Sequence, residues 1–193
     1  VTLTPDGNVT IGESCEWGMV GDATSVGWNE KELSNLKNAA HLHDIGKIAI
    51  PDTILNKPSK LSEEEFSIIK EHTIIGANIL KNISLIDHVQ EIVRNHHERY
   101  DGKGYPDGLK GEEIPISAQV VSLADVYDAL VSDRVYKKAY SHEKAIEMIL
   151  NGECGMFNPL LLECLVEIQD KVRKELGIKD VNECLEYLEE RNR

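Results

Sequence analysis

A chain of 193 residues, 41% hydrophobic and 28% charged, has room for one domain with a real core and is too short to expect two. Its formal net charge of -13, from 34 acidic and 21 basic residues, excludes broad electrostatic binding to DNA or anionic lipid. A small anionic ligand stays open if a cation or a local Lys/Arg cluster reverses the field within one cleft.

Residues 1–28 form an atypical N-terminal segment, and 29–193 read as one helical domain. Val1 to Ile11 reads as two short β segments about Pro5-Asp6-Gly7, a hairpin within the first 12 residues. Gly12 to Gly27 is glycine-rich and keeps no steady period. From Asn29 the pattern turns helical. Leu33, Leu36, Ala39, Ala40 and Leu42 mark one apolar face that ends near His43–Asp44. Gly46 and Pro51 break it, with Ile48 to Ile50 expected as an extended loop. Ser62 and Glu65 form a capping box for a helix to about Lys81, whose buried stripe is expected to hold Phe66, Ile69, Ile74 and Leu80. A third helix is expected over about 85–99, followed by a polar, glycine-rich loop over 100–111. Residues 117–131 are so apolar that this helix should be the central, most buried one. Ser141 caps a helix to Leu150. Asn158-Pro159 opens a long amphipathic helix to Leu176, with Pro at the favoured first position and a face suited to a homodimer. A last, acidic helix is expected over about 180–190. Aromatics at 5% leave Leu, Ile, Val and Ala to build the core, which favours helix packed on helix. Cys15, Cys154, Cys164 and Cys184 lack C-x-x-C spacing, and there is no signal peptide or long apolar run. The expectation is reduced thiols, a cytoplasmic location and no membrane insertion.

Chemistry concentrates where histidines meet acids at helix ends: His43–Asp44, His72, His96–His97 and Asp125. Imidazole and carboxylate donors without ligand-spaced cysteines suit Mn, Fe, Zn or Ni rather than a structural zinc site. Neighbouring residues on a helix point about 100° apart, so adjacent histidines are expected to reach two neighbouring ions rather than one. Asp44, with two oxygens, can bridge such a pair. An acid at 125 inside an apolar helix would cost several kcal/mol, on the order of the penalty for a buried unpaired charge, and a metal would remove that cost. His41, His88 and His142 read as ordinary surface or hydrogen-bonded histidines.

His43-Asp-Ile-Gly-Lys-Ile-Ala-Ile-Pro51 followed by His96-His-Glu-Arg-Tyr-Asp-Gly-Lys-Gly-Tyr-Pro106 resembles the HD-GYP family, a branch of the HD phosphohydrolases. The similarity continues through Leu123-Ala-Asp-Val-Tyr-Asp-Ala-Leu130 and Asp133-Arg-Val-Tyr-Lys137. The resemblance implies an all-α, HD-type helical bundle with a di- or tri-metal centre that opens cyclic di-GMP to pGpG and, in a further step, GMP. Cyclic GMP-AMP is the substitute substrate. The implied cofactors are two divalent ions, Fe or Mn. Asp44 would bridge them, His43 and Asp125 would serve the first, and His72, His96 and His97 the second. Asp44 and Lys47 are the implied catalytic residues. Gly104-Tyr105-Pro106 would contact substrate and a diguanylate cyclase-type partner, while Lys47, Arg134 and Lys137 match positions near substrate phosphates or bases.

One departure bears on activity. Members of this family usually carry a further histidine on a preceding helix, and residues 1–40 contain none. Glu13, Glu16 and Asp22 are the nearby acids. The first ion is therefore expected to bind more weakly, to use water, or to borrow a ligand from another chain. The rival readings are an impaired domain that senses the nucleotide or binds a protein, and an HD phosphohydrolase acting on a mononucleotide.

Overall fold

A computed structural model of the chain describes residues 2–3, 9–10, 30–81, 88–133 and 138–175. Strands β1 (Thr2–Leu3) and β2 (Val9–Thr10) pair antiparallel, with Thr2 opposite Thr10 and Leu3 opposite Val9. The rest is helical: α1 (Glu30–Leu42), α2 (Asp52–Leu55), α3 (Glu63–Leu80), α4 (Val89–Asn95), α5 (Ile116–Val131), α6 (His142–Leu150) and α7 (Pro159–Glu175). Short 3₁₀ turns cover Ile45–Ala49 and Gly111–Glu113. The fold is all-α, as the sequence predicts, and the acidic helix expected over 180–190 lies outside the described residues. None of the described helices is long and apolar enough to cross a membrane.

Local chemistry accounts for the helix starts. Ser62 Oγ accepts from the Glu65 N–H at 3.2 Å, and Glu65 Oε2 accepts from the Ser62 N–H at 2.7 Å, so two otherwise orphaned donors are satisfied reciprocally. Ser141 caps α6 by accepting from the Lys144 N–H. Asn158 caps α7 through Oδ1 and donates from Nδ2 to Gln119 of α5 at 3.0 Å, tying the two helices together.

Helices α4 and α5 carry the core. Ile92, Val93, Val121, Ala124 and Tyr127 are almost completely buried, the Ile and Val side chains each contributing about 2 kcal/mol by leaving water. α4 packs on α1, α3 and α5, then α6 packs on α5 and α7 on α6. The high burial of α5 matches its apolar sequence.

Three expectations are corrected. Ile48 and Ala49 are not an extended loop, and within 48–50 only Ile50 has extended backbone. Lys47 N–H donates to Asp44 O at 2.9 Å and Ile50 N–H to Lys47 O at 3.0 Å, so i to i+3 bonds wind the segment into a 3₁₀ turn through Ala49. The stripe expected on α3 holds at Leu80 and is misplaced at Phe66 and Ile74. Its buried residues are His72, Thr73, Gly76, Ala77 and Leu80, whereas Phe66 and Ile74 are exposed. The inner face of α3 lies so close to its neighbours that a Cβ on Gly76 would stand 2.8 Å from Val93 Cγ1. Gly76 and Ala77 fit at that approach, while Phe66 and Ile74 stand outside it. Finally, α4 ends at Asn95 rather than near Arg99, because Glu98 N–H turns back to Asn95 O at 2.9 Å.

Candidate metal centre

His43, His72 and His96 stand on different segments, yet each ring is oriented by the same device. Nδ1 of His43 lies 2.5 Å from Ala40 O, that of His72 2.6 Å from Ile69 O, and that of His96 2.9 Å from Val93 O. A carbonyl only accepts, so Nδ1 carries the proton and, in the neutral ring, Nε2 presents a lone pair. The Nε2 atoms converge on Asp44. His72 and His96 stand 3.3 and 3.9 Å from its Oδ1, and His43 stands 3.4 Å from its Oδ2. Asp125 Oδ1 joins on the far side, 3.8 Å from His43 Nε2.

This arrangement leaves electrostatic work undone. The Nε2 atoms of His72 and His96 are 3.4 Å apart with a lone pair on each, and Asp44 Oδ1 is buried without a hydrogen-bond donor. Buried acceptors facing one another are costly unless a cation sits among them. One ligand atom each from Asp44, His72, His96 and His97 falls within 4.8 Å of all the others. Such a cluster could hold a metal ion, and its nitrogen and oxygen donors suit a divalent transition metal.

The electrostatics keep the donors ready. Burial is the largest influence on Asp44 and opposes its ionisation, but contacts with His43 and His72 and the Lys47 charge outweigh it and hold the carboxyl well below its usual range. Burial, reinforced by His97 and His43, pushes His96 far below the ordinary histidine range. Burial and the neighbouring His72 bring His97 down to about 2. Both rings are therefore neutral at pH 7 and offer lone pairs. Lys47 Nζ donates to Asp44 Oδ2.

Two sequence arguments need revision here. The adjacent histidines do not diverge toward separate clusters. α4 has ended at Asn95, so His96 and His97 lie in a turn, their ring centroids 4.1 Å apart, and both supply the cluster around Asp44. Asp125 is not fully buried, since 24% of its side chain is exposed. The desolvation argument for it loses force, although its position beside His43 remains. Arg134 and Lys137, together with Glu13, Glu16 and Asp22, lie outside the described residues. His142 is hydrogen-bonded through Nδ1 to the Tyr127 hydroxyl at 2.6 Å and His88 is exposed, the ordinary roles expected of them.

The Gly104-Tyr105-Pro106 loop meets the cluster through Tyr105, whose ring lies 4.8 Å from that of His97. Gly104 is needed for close approach: a Cβ there would stand 2.3 Å from Glu98 Cα. Sequence reasoning assigned no role to Glu98, the residue that shapes this loop. Its buried carboxylate accepts from three successive backbone N–H groups, Asp107 at 2.7 Å, Gly108 at 3.0 Å and Leu109 at 3.1 Å. Arg94 adds a two-pronged pair to Asp107, with both contacts at 2.7 Å. Arg99 spans from the loop to α5 by donating to Ser122 Oγ at 2.7 Å. A glycine-rich loop leaves many backbone donors to satisfy. An acid just ahead of it was the available signal.

Comparison with known proteins agrees with this geometry. The family model described as "HD domain" matches residues 22–156. The chain is 46% identical over 143 residues to a "Cyclic di-GMP phosphodiesterase" of Vibrio cholerae, covering 70% of this chain and 29% of the relative. It is 42% identical over 147 residues to a "3'3'-cGAMP-specific phosphodiesterase 2" of the same organism, covering 75% and 28%. The chain thus spans under a third of the length of these two relatives. The solved structure of an HDG"Y"P protein from Bdellovibrio bacteriovorus superposes with a TM-score of 0.65 at 24% identity, over 83% of this chain and 51% of that one, a likeness of fold alone.

Proposed function

The chain belongs to the HD domain family, and from that premise we propose that it is a metal-dependent phosphodiesterase opening cyclic di-GMP to linear pGpG. The observation that carries this reading is the convergence of the His72 and His96 lone pairs, 3.4 Å apart, on the donorless Oδ1 of Asp44. In this reading Asp44, His72, His96 and His97 hold one divalent ion. His43, Asp44 and Asp125 would hold a second, with fewer ligands than the first among the described residues. Fe(II) or Mn(II) suits the mixed imidazole and carboxylate set. Ions bound there would lower the pKa of a water and neutralise charge on the attacking and leaving oxygens of a phosphodiester.

The chain's own residues do the rest. Asp44 holds its negative charge in a buried position and directs one oxygen to each side of the centre. Lys47, partly open to solvent at 29% of its side chain, keeps that carboxylate oriented and is the cation this reading assigns to a phosphate oxygen. Tyr105, packed against His97, closes the side of the site from which the Gly-Tyr-Pro loop approaches. Cyclic di-GMP is preferred over cyclic GMP-AMP because the chain's similarity is greater to the relative named for the former.

Anaerobic incubation with Fe(II) or Mn(II) and each cyclic dinucleotide, followed by chromatography of linear products, tests the reading. Turnover of cyclic di-GMP that requires the metal and disappears in a His96→Ala/His97→Ala variant is the expected result. Metal bound in full with neither nucleotide cleaved would overturn it.

A further inference from the structure

Beside the candidate metal centre stands a cation with no carboxylate partner among the described residues. Phe66 and Lys70 lie one turn apart on α3 and share a face. Lys70 Nζ is 4.7 Å from the Phe66 ring centroid and 5.6 Å from that of Tyr105. Phe66 and Tyr105 meet edge to face at 6.1 Å, and Tyr105 lies against His97. Lys47, Lys57, Lys103 and Lys144 each pair with a carboxylate, whereas Lys70 forms no ion pair among the described residues. What sets Lys70 apart from other lysines without a carboxylate partner is its place, over Phe66 and Tyr105 at the edge of the histidine cluster. Phe66, which the helical pattern would bury, is 42% exposed.

We propose that Phe66 and Lys70 form a nucleotide subsite. Lys70 receives the phosphodiester of the cyclic dinucleotide that is not being cleaved, and the open part of the Phe66 ring stacks the base next to it. The proposal rests on the phosphodiesterase reading above. A cyclic dinucleotide carries two phosphodiesters, and the metal centre takes one. The other enters the field of a chain with net charge -13 and needs a local cation to meet it. The rings of Phe66 and Tyr105 hold the ammonium in place through its attraction to their π faces without cancelling its charge. The three N–H donors of Lys70 remain able to reach phosphate oxygens. An exposed aromatic face suits a purine because every base offers a π face for stacking.

The experiment compares wild type, Lys70→Gln, Lys70→Arg and Phe66→Leu, all loaded with Mn(II), on cyclic di-GMP and on bis(p-nitrophenyl) phosphate. The second substrate is a diester with one phosphate and no base. Lys70→Gln is expected to raise KM for cyclic di-GMP about tenfold or more, the loss of a charge-assisted hydrogen bond, and Lys70→Arg to restore most of it. Phe66→Leu is expected to raise KM by several-fold. Neither change should alter metal content or kinetics on the small diester more than about twofold, within the spread of surface substitutions. An unchanged KM in Lys70→Gln, or equal losses on both substrates, overturns the subsite while leaving the phosphodiesterase reading intact. A wild type that cleaves only the small diester removes the cyclic dinucleotide reading and the subsite together, and one that cleaves neither removes the phosphodiesterase reading itself and the subsite with it.

Discussion

A carbonyl oxygen three residues back in the chain decides which nitrogen of an imidazole faces the cluster, and the chain uses this at His43, His72 and His96. The consequence extends to pH. Burial lowers the folded-state pKa of His97 to about 2 and that of His96 well below the ordinary value, whereas in the unfolded chain both titrate near about 6.5. Below that value the unfolded state takes up protons that the folded state refuses, so stability rises with pH through this window and levels off above it. Asp44, whose pKa is also depressed, adds the same sign at lower pH. Metal-depleted protein is therefore expected to melt at progressively lower temperature as pH falls from 7 to 5. A melting temperature that is flat or rises over this range would contradict the burial of these rings. The candidate ligands stood out in the sequence, because a His-Asp doublet and a His-His doublet are chemically unusual. The role of Glu98 was not, because its three backbone partners lie 9 to 11 residues further on and depend on the path of the loop.

Helix α3 shows what an element contributes beyond its residues. It brings His72 to Asp44 by lying almost in contact with the 3₁₀ turn, where a Cβ on Gly46 would stand 1.9 Å from His72 O and 2.6 Å from Gly76 N. Those neighbours are backbone atoms and cannot rotate away. Gly46→Ala is expected to cost about 3 kcal/mol, at the upper end for overpacking, and to weaken retention of the bound ion by displacing His72. Chemical denaturation and metal analysis after dialysis check both effects; an alanine variant with native stability and metal content would show that the two elements are free to separate. The capping box at Ser62 was legible from two residues and chain spacing alone. The buried face of α3 was not. A helical period identifies candidate stripes, but only the neighbours decide which stripe is pressed inward, and here the tight approach selected Gly76 and Ala77 over Phe66 and Ile74. The end of α4 belongs to the same class. Its apolar pattern allowed continuation to Arg99, and the return of Glu98 onto the following loop stopped it.

At the scale of the whole molecule, charge governs approach and the local site governs capture. A net charge of -13 repels an anionic dinucleotide over the Debye length, which shrinks from about 30 Å at 0.01 M salt to about 8 Å at 0.15 M. Stopped-flow association of cyclic di-GMP with the metal-loaded protein is expected to quicken as salt rises across that range. Slowing would mean that the cations of the cleft dominate the long-range field. The sequence by itself determined that the chain is all-α, that its acidic surface excludes broad nucleic-acid binding, and which histidines and aspartates are the candidates for its chemistry. Those follow from composition, period and motif, which are local properties of the chain. Tertiary structure decided that His96 and His97 join Asp44 in one cluster, that Glu98 shapes the Gly-Tyr-Pro loop, and that Lys70 stands over Phe66 with no carboxylate partner among the described residues. Each depends on the close packing of segments distant in the chain, which places donors, acceptors and charges together by a few ångströms that no local pattern encodes.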